Sequence, residues 1–426
     1  MKNLKRLLSF VLAMIMAFST VMLVGAQTAN ADGQDEITGF TDDDFLTAKG
    51  RKLYNKKGEE VQLKGVNLGG WLIHEDWLCP DELPEGVVYD NETILQILEE
   101  RFGREAAYDL VNQYQENWIT EYDLDLIKER GFNCVRVPFW YRNFYYDDNG
   151  TKILNDKGEW DFSILDWVVE ECSKRELYVI LDMHGAVGSQ SDAPHSGRAN
   201  NCGLYEDTEQ GERYRELTDE LWAAIAGRFN GNPAVAMYDL LNEPMCDVDC
   251  TEITRRINNE YIYGRLYDTV RAVDADHVIT MEAIWTGFAL PKTFVKGWSN
   301  VVYQVHFYNN SDFIFNFFLL LTIAIHPNVP LMVGEFYPHQ KTTWENCFKT
   351  MNKLNYSWML WTYKATGHGM WSSDWCMFGA KDGFWNANIA EGTYEEISYA
   401  WGPDQLRTER NFQDTGHYEA NVKDHL

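Results

Sequence analysis

Short apolar runs recur along the chain, and the segments between them show helical periodicity. Each run is five to seven residues long, which suits strands that are buried on both faces of a sheet. The intervening segments carry apolar residues at helical spacing, as at Ile164, Val168 and Cys172. The predicted strands are residues 61–67, 134–139, 178–183, 235–241, 278–282, 301–306, 330–335 and 357–362.

Eight strands that alternate with helices predict an α/β protein with a single (β/α)8 barrel. An open, doubly wound sheet is the alternative, and such a sheet normally carries a glycine-rich phosphate loop after its first strand. The segment GVNLGG (65–70) does not match GxGxxG, and no P-loop occurs in the chain. The pattern therefore favours the barrel.

The residues outside the eight runs predict further organisation. Residues 32–60 are expected to contain a β-hairpin, built from Leu53 and Tyr54, a turn at 55–58 and the run from Val61. This hairpin is expected to cover the barrel floor. A long insertion follows the first strand at residues 76–118, the barrel spans residues 61–404, and residues 405–426 are predicted to form a polar tail.

The first 31 residues have the three parts of a secretory signal peptide. Lys2, Lys5 and Arg6 precede an apolar stretch at 7–24, and Ala29 and Ala31 stand at the positions that a signal peptidase reads. Cleavage after Ala26 and a retained membrane anchor are the alternatives. We expect an extracellular protein that is free of the membrane after cleavage.

The formal net charge of −28 limits the partners. A polyanion repels nucleic acid and acidic membrane surfaces, so neither is an expected partner. A neutral substrate is compatible with this charge.

Polar and ionisable side chains gather where the predicted strands end. Because catalytic groups of (β/α)8 barrels lie at the carboxyl ends of the strands, we expect these side chains to form one active site. A lone ionisable group there could serve a structural hydrogen bond, but ionisable groups that converge from six strand ends favour catalysis. The set comprises Arg136, residues 182–185, residues 242–244, Glu282, residues 306–308, residues 334–336 and Trp361.

Two carboxylates in this set, Glu243 and Glu335, end the fourth and seventh strands. Glycoside cleavage needs one carboxyl group to protonate the leaving oxygen and a second to attack the anomeric carbon or activate water. Arg136 beside one of them would keep that carboxylate ionised. Trp361 and Trp71 are predicted to offer flat apolar faces to a pyranose ring.

A zinc enzyme, a serine hydrolase and a sugar-binding barrel are the alternatives to a glycosidase. His184, His306 and Glu335 could in principle bind zinc, but the first strand lacks an HxH pair and the chain has no HExxH motif. The chain has no GxSxG motif, which would have indicated a serine nucleophile. A sugar-binding barrel without turnover is the nonenzymatic alternative. We predict no metal site.

Seven segments carry a family likeness: LKGVNLGGW (63–71), GFNCVRVPFWY (131–141), DMHG (182–185), LLNEP (240–244), VHFY (305–308), GEF (334–336) and WTYK (361–364). From about residue 45 to about residue 402 the chain resembles glycoside hydrolase family 5, the cellulase family of retaining (β/α)8 glycosidases. The resemblance implies hydrolysis of a β-glucan by double displacement, without a cofactor.

The resemblance also implies roles for single residues. Glu243 is expected to be the acid/base and Glu335 the nucleophile. Substrate-binding roles are expected for Glu75, Arg136, His184, Asn242, His306, Tyr308 and Trp361.

The segments GWLIHE (70–75) and HGAVGSQ (184–190) are most similar to the exo-β-1,3-glucanase group of that family. We therefore predict an exo-β-1,3-glucanase, and a β-1,4-endoglucanase is the alternative. Two features depart from that group. Val187 replaces its usual proline, and residues 309–329 are far more apolar than usual, although an outer barrel helix should have a polar face.

Overall fold

The computed structural model describes residues 39–284, 287–337, 340–366 and 376–426, so the predicted signal peptide lies outside the described residues. The described chain begins with an antiparallel sheet of three strands, β1 (Thr47–Lys49), β2 (Lys52–Tyr54) and β3 (Glu60–Val61). Strands β2 and β3 form the predicted hairpin. Leu46 and Leu53 pack on residues near the starts of the barrel strands, such as Cys134 and Val278, so the hairpin covers the barrel floor.

Eight parallel strands form a closed barrel, which confirms the predicted fold and excludes the open sheet. The last barrel strand pairs with the first, with Leu360 beside Val66. The strands that follow β3 are β4 (Lys64–Asn67), β5 (Asp81–Glu82), β6 (Cys134–Trp140), β7 (Tyr178–Gly185), β8 (Val235–Asp239), β9 (Val278–Glu282), β10 (Val301–Phe307), β11 (Leu331–Phe336) and β12 (Ser357–Leu360); all but β5 belong to the barrel.

The helices match the predicted periodicity and lie around the barrel. In the insertion after β4, two helices precede the first outer helix, whose N-terminus is capped by Thr120 and Asp123 in a reciprocal box. Gly131, at φ +88°, then turns the chain into β6. These helices are α1 (Asn91–Phe102), α2 (Arg104–Trp118), α3 (Glu121–Glu129), α4 (Ser163–Lys174), α5 (Glu209–Phe229), α6 (Glu252–Val273), α7 (Thr293–Lys296), α8 (Asp312–Ile325) and α9 (Lys341–Leu354).

Helix α8 contains the apolar segment noted in the sequence. Phe315 and Leu319 are buried, whereas Phe313, Phe317 and Leu320 are 77%, 53% and 60% exposed. The segment is therefore an outer helix whose exposed face is also apolar, unlike the polar face that outer helices usually have.

The chain after β12 folds onto the barrel, where the sequence predicted a polar tail at 405–426. Phe412 and Val422 are buried, and Lys64 donates to the carbonyl of His425 over 2.9 Å. A few apolar side chains among polar ones suffice to dock the segment, and composition alone conceals them. Its elements are β13 (Lys364–Ala365), β14 (Phe378–Ala380), β15 (Ala387–Asn388), α10 (Tyr394–Ala400), α11 (Pro403–Leu406), α12 (Thr408–Asn411) and β16 (Phe412–Asp414).

Candidate active site

Arg136 on β6 is fully buried at the carboxyl end of the barrel and joins four other elements. Its Nη1 donates to Glu335 Oε1 over 2.7 Å, and its Nη2 donates to Asn242 Oδ1 over 2.9 Å. Its Nε donates to Asp239 Oδ2 over 2.8 Å, and Asp182 Oδ2 lies 3.1 Å from Nη2. One guanidinium thus orients the residues that the sequence placed on separate strands.

Glu335 on β11 is buried and held from two sides. Besides the bond from Arg136, its Oε2 accepts a hydrogen bond of 2.6 Å from the hydroxyl of Tyr308. The preceding Gly334 leaves no room for a side chain, since a Cβ atom there would lie 1.8 Å from Gln304 Oε1. These contacts fix the carboxylate in one orientation.

Glu243 follows β8 with a φ of +40°, a strained backbone conformation for a residue other than glycine. Its Oε1 lies 2.8 Å from His306 Nδ1, and its Oε2 lies 3.3 Å from His195 Nε2. Its backbone N–H donates to Glu282 Oε2 over 2.5 Å. Strain that the surroundings maintain is typical of a functional residue.

The two predicted catalytic carboxylates lie close together. One oxygen of Glu243 and one of Glu335 lie within 4.8 Å of each other, with His306 Nδ1 in the same group. Carboxyl groups are about 5–5.5 Å apart in retaining glycosidases and about 6.5–9.5 Å apart in inverting ones. Nearest oxygens this close are compatible with the separation in retaining enzymes.

Opposing effects set the pKa of Glu243. Burial raises the pKa of this carboxyl, but the hydrogen bond with His306 and the positive charges of His195 and His306 hold it below its usual range. Burial and the charge of Glu243 raise the pKa of Glu282 well above its usual range. Of these two neighbouring carboxyl groups, Glu243 is therefore the stronger acid.

His184 at the end of β7 is a neutral base, because burial lowers its pKa well below the usual range. Its Nδ1 lies 2.7 Å from Asp182 Oδ2, and its Nε2 lies 3.2 Å from Asn242 Nδ2. Its ring stacks on Trp361, with centroids 5.5 Å apart and planes 8° apart. His184 therefore contacts two other predicted substrate-binding residues, Asn242 and Trp361.

The charges of the two predicted catalytic carboxylates also affect Glu75, in the loop after β4. Burial and the charges of Glu335 and Glu243 raise its pKa to about 8. The indole N–H of Trp77 donates to Glu75 Oε2 over 3.0 Å. The carboxyl group is therefore protonated at neutral pH.

The structure also corrects one prediction. Trp71 was predicted to offer its ring to a sugar, but it is fully buried and its indole N–H donates to the carbonyl of Gln115 over 2.7 Å. Its ring packs against the core and the insertion helix α2, so it presents no free face.

Sequence reasoning gave no role to three residues that support the site: Asp239, Glu282 and His195. Asp239 could have been found by extending the strand-end argument by a few residues, and Glu282 was noted at a strand end without a role. His195 lies in the loop after β7, 48 residues before Glu243 in the chain, and no local pattern marks it. Burial raises the pKa of Asp239 to about 7, although Arg136 opposes the shift.

Three groups of side chains in the described ranges have donor atoms close enough to share a metal ion. One comprises Glu243, His306 and Glu335, and another places His195 and Cys246 beside Glu243. The third, His74, Cys79 and Asp81, is buried, and there His74 Nδ1 lies 2.7 Å from Asp81 Oδ2. In the first group, His306 Nδ1 is already hydrogen-bonded to Glu243.

Comparisons with known proteins agree with this geometry. The family model "Cellulase (glycosyl hydrolase family 5)" matches residues 99–367, more than half of the chain. A beta-xylosidase of Phanerodontia chrysosporium is 28% identical over 267 residues, which are 62% of this chain and 52% of the relative. A probable glucan 1,3-beta-glucosidase A of Aspergillus niger is 29% identical over 261 residues, 59% of this chain and 56% of the relative. The chain thus spans just over half the length of these relatives.

Solved structures share the fold at low sequence identity. The crystal structure of an endogalactoceramidase has a TM-score of 0.57 at 16% identity and covers 84% of each chain. That of a rutinosidase from Aspergillus niger has a TM-score of 0.55 at 16% identity, covering 79% of this chain and 97% of the other. With the family match and the closed barrel, the chain belongs to the cellulase family, glycosyl hydrolase family 5.

Proposed function

We propose that this protein is a retaining β-glucan hydrolase in which Glu335 is the nucleophile and Glu243 is the acid/base. The short separation of these two carboxylates carries the proposal, because one oxygen of each lies within 4.8 Å of the other. Two donors, Arg136 and Tyr308, bind Glu335 and stabilise its ionised form. Glu243 has no arginine partner among the described residues and lies beside two histidines instead.

The reaction proceeds by double displacement. Glu335 forms a bond to the anomeric carbon while the bond from that carbon to the leaving oxygen breaks, and Glu243 gives its proton to that oxygen. Glu243, now a carboxylate, takes a proton from water, and the water oxygen displaces Glu335 from the same carbon. The hydrogen bond with His306 stabilises the carboxylate that this second step requires.

The substrate proposed is a β-1,3-glucan cleaved from its end. The names of several relatives, including a glucan 1,3-beta-glucosidase of Candida oleophila, support this linkage. The loop after β7 is held beside the proposed catalytic residues, because Gln190 donates to the carbonyls of His184 and Asn242 over 2.7 and 2.8 Å. Glu75, whose pKa is raised by the charges of both catalytic carboxylates, is the residue that we propose to bind the terminal sugar.

We further propose that the protein is secreted. In the part of the chain that the structure describes, no helix has the length and apolar character to cross a membrane. The proposal rests on the N-terminal sequence pattern and on a substrate that is a polysaccharide.

The test is to incubate the purified protein with laminarin and with carboxymethyl cellulose and to follow the products over time. Glucose alone from laminarin, with unchanged viscosity of the cellulose, is the expected result. Mixed oligosaccharides and a rapid viscosity drop in the cellulose would indicate a β-1,4-endoglucanase instead.

E335Q provides the matched control, since it preserves size and removes the nucleophile. Turnover of an aryl β-glucoside should fall by several orders of magnitude. Near-normal turnover in E335Q would overturn the residue assignment. Absence of any hydrolysis by the wild type would favour a sugar-binding barrel.

A further inference from the structure

A cavity of about 650 Å³ lies outside the barrel ring, apart from the carboxylates described above. This volume is within the range of about 300–1,000 Å³ that small-molecule sites occupy. None of the predicted site residues lines it. Its lining includes Gln115, Glu116, Tyr122, Asp161, Trp167 and Arg407.

The cavity is built largely from additions to the barrel. It lies where α2 of the insertion ends, where α3 and α4 begin, and where the chain leaves α11. Outer helices of a (β/α)8 barrel begin at the end where the strands finish, so the cavity lies toward the catalytic end of the molecule. Trp71, in the loop after β4, packs edge-on against Trp167 with ring centroids 5.8 Å apart.

Gln115 places a side-chain amide at the wall of the cavity. It is 8% exposed, and its side-chain amide makes no hydrogen bond to any other described residue. An amide that is not bonded to protein offers both donors and acceptors to a ligand. Its backbone carbonyl is already used by Trp71, so the side chain is held at the cavity wall.

The other lining residues indicate the chemistry of that ligand. Trp167 is partly exposed and Tyr122 is 43% exposed, so rings with apolar surface border the cavity. The carboxylates of Glu116 and Asp161 outweigh the single cation, Arg407, and therefore disfavour an anionic ligand. Aromatic faces beside amide and carboxylate groups suit a neutral ligand that carries many hydroxyl groups.

We infer that this cavity is a second, noncatalytic binding site for a neutral β-linked glucan chain. The inference rests on the proposed function for the class of sugar. A polymer held in the cavity while another part of it, or a neighbouring chain, occupies the catalytic site raises the local concentration of cleavable ends. Small substrates that fill only the catalytic site gain nothing from it.

The experiment compares Q115L and Y122A with the parent, each with the catalytic residues intact and again in an E335Q background. Electrophoretic retardation in gels containing laminarin or hydroxyethyl cellulose, both neutral polymers, measures binding in the E335Q series. Hydrolysis of an aryl β-glucoside measures the catalytic site in the intact series. Y399A is the control, because Tyr399 is similarly exposed, at 50%, and does not line the cavity.

Each substitution in the cavity should weaken binding to at least one polymer roughly tenfold, as expected for the loss of one ring or one buried amide contact. Aryl β-glucoside turnover should be unchanged, and Y399A should behave like the parent. Unchanged retardation in both cavity variants, or no retardation of the parent, would overturn the inference. A parallel loss of aryl β-glucoside turnover would also overturn it, since the effect would then be on the fold.

The catalytic assignment and the proposed second binding site can be refuted independently of each other. Persistent hydrolysis by E335Q would refute the catalytic assignment, whereas the retardation of the cavity variants relative to their parent would still report on the cavity.

Discussion

Arg136 Nη1 donates to Glu335 Oε1 over 2.7 Å, and Nη2 of the same guanidinium donates to Asn242 Oδ1 over 2.9 Å. A single side chain on β6 therefore sets the positions of groups on β11 and after β8. Lysine carries the same charge but has one nitrogen, so it cannot maintain both bonds.

R136K should lower kcat for an aryl β-glucoside roughly 100-fold or more, because the nucleophile loses its fixed position. The matched control is R142K, since Arg142 is also buried and pairs with Glu92 in the insertion, at 2.9 Å. R142K should lose stability with little change in kcat. Equal kcat losses in the two variants would show that Arg136 acts only through the fold.

Glu243 is expected to protonate the leaving oxygen, so its importance depends on the leaving group. E243A should reduce hydrolysis of a poor leaving group roughly 10²–10⁴-fold, while a dinitrophenyl β-glucoside still forms the glycosyl-enzyme. Azide should then restore turnover and yield the β-glycosyl azide, detectable by NMR. E220A, which alters the Lys152 ion pair at the surface, is the control. An α-azide product would reverse the assignment of Glu243 and Glu335.

His195 affects the pKa of Glu243, a role that the sequence did not indicate. Its positive charge, 3.3 Å from Glu243, is one cause of the lowered pKa of that carboxyl. Removing a cation disfavours the carboxylate, so the pKa of Glu243 rises in H195Q and the acid form persists to higher pH. The alkaline limb of kcat/KM against pH should therefore shift upward. A limb that does not move, or that moves downward, would contradict this role.

Most residues of the site could be predicted from their positions at strand ends, because a barrel brings the ends of its strands together whatever the conformation of the loops. Arg136, Glu243 and Glu335 contact the groups expected of them for this reason. His195 was not found, since the path of the loop after β7 decides its position. Trp71 was misassigned because a long-range contact, the carbonyl of Gln115 on the insertion helix, decides its burial.

The packing of the C-terminal segment could not be predicted from its composition either. Residues 405–426 are polar on average, yet Phe412, Tyr418 and Val422 dock them on the barrel. Four buried apolar side chains, these three and Leu406, barely change the composition of 22 residues. The run from Val61 was likewise too long for one strand, since Glu60–Val61 pairs in the hairpin and the barrel strand begins at Lys64.

Chelation should leave the enzyme active. Glu243, His306 and Glu335 have donor atoms within 4.8 Å of one another, but hydrogen bonds among these groups and from Arg136 and Tyr308 already occupy their oxygens. After dialysis against EDTA, kcat/KM for an aryl β-glucoside should equal that of the untreated protein. Loss of activity that Zn²⁺ or Mn²⁺ restores would refute the carboxylate mechanism as proposed.

Lys364 on β13 should make stability rise with pH above neutrality. The side chain is fully buried, donates to the carbonyls of Trp118 and Leu406 over 2.7 and 2.5 Å, and lies over the ring of Phe412 at 4.2 Å. Burial lowers its pKa to about 8 from 10.5. Between these two values the unfolded chain binds more protons than the folded chain, so the free energy of unfolding increases as pH rises.

The cleanest measurement is the difference in unfolding free energy between the wild type and K364M, determined by denaturant titration at pH 7 and at pH 10. The unfolding free energy of the wild type should increase relative to that of K364M at the higher pH, by at most ~3 kcal/mol. K349M, which alters an exposed lysine, should show no such change. A difference between the wild type and K364M that is independent of pH would mean that Lys364 keeps its charge in the folded protein. The two carbonyls at the junction of the insertion and the C-terminal segment would then hold an ammonium ion throughout this range.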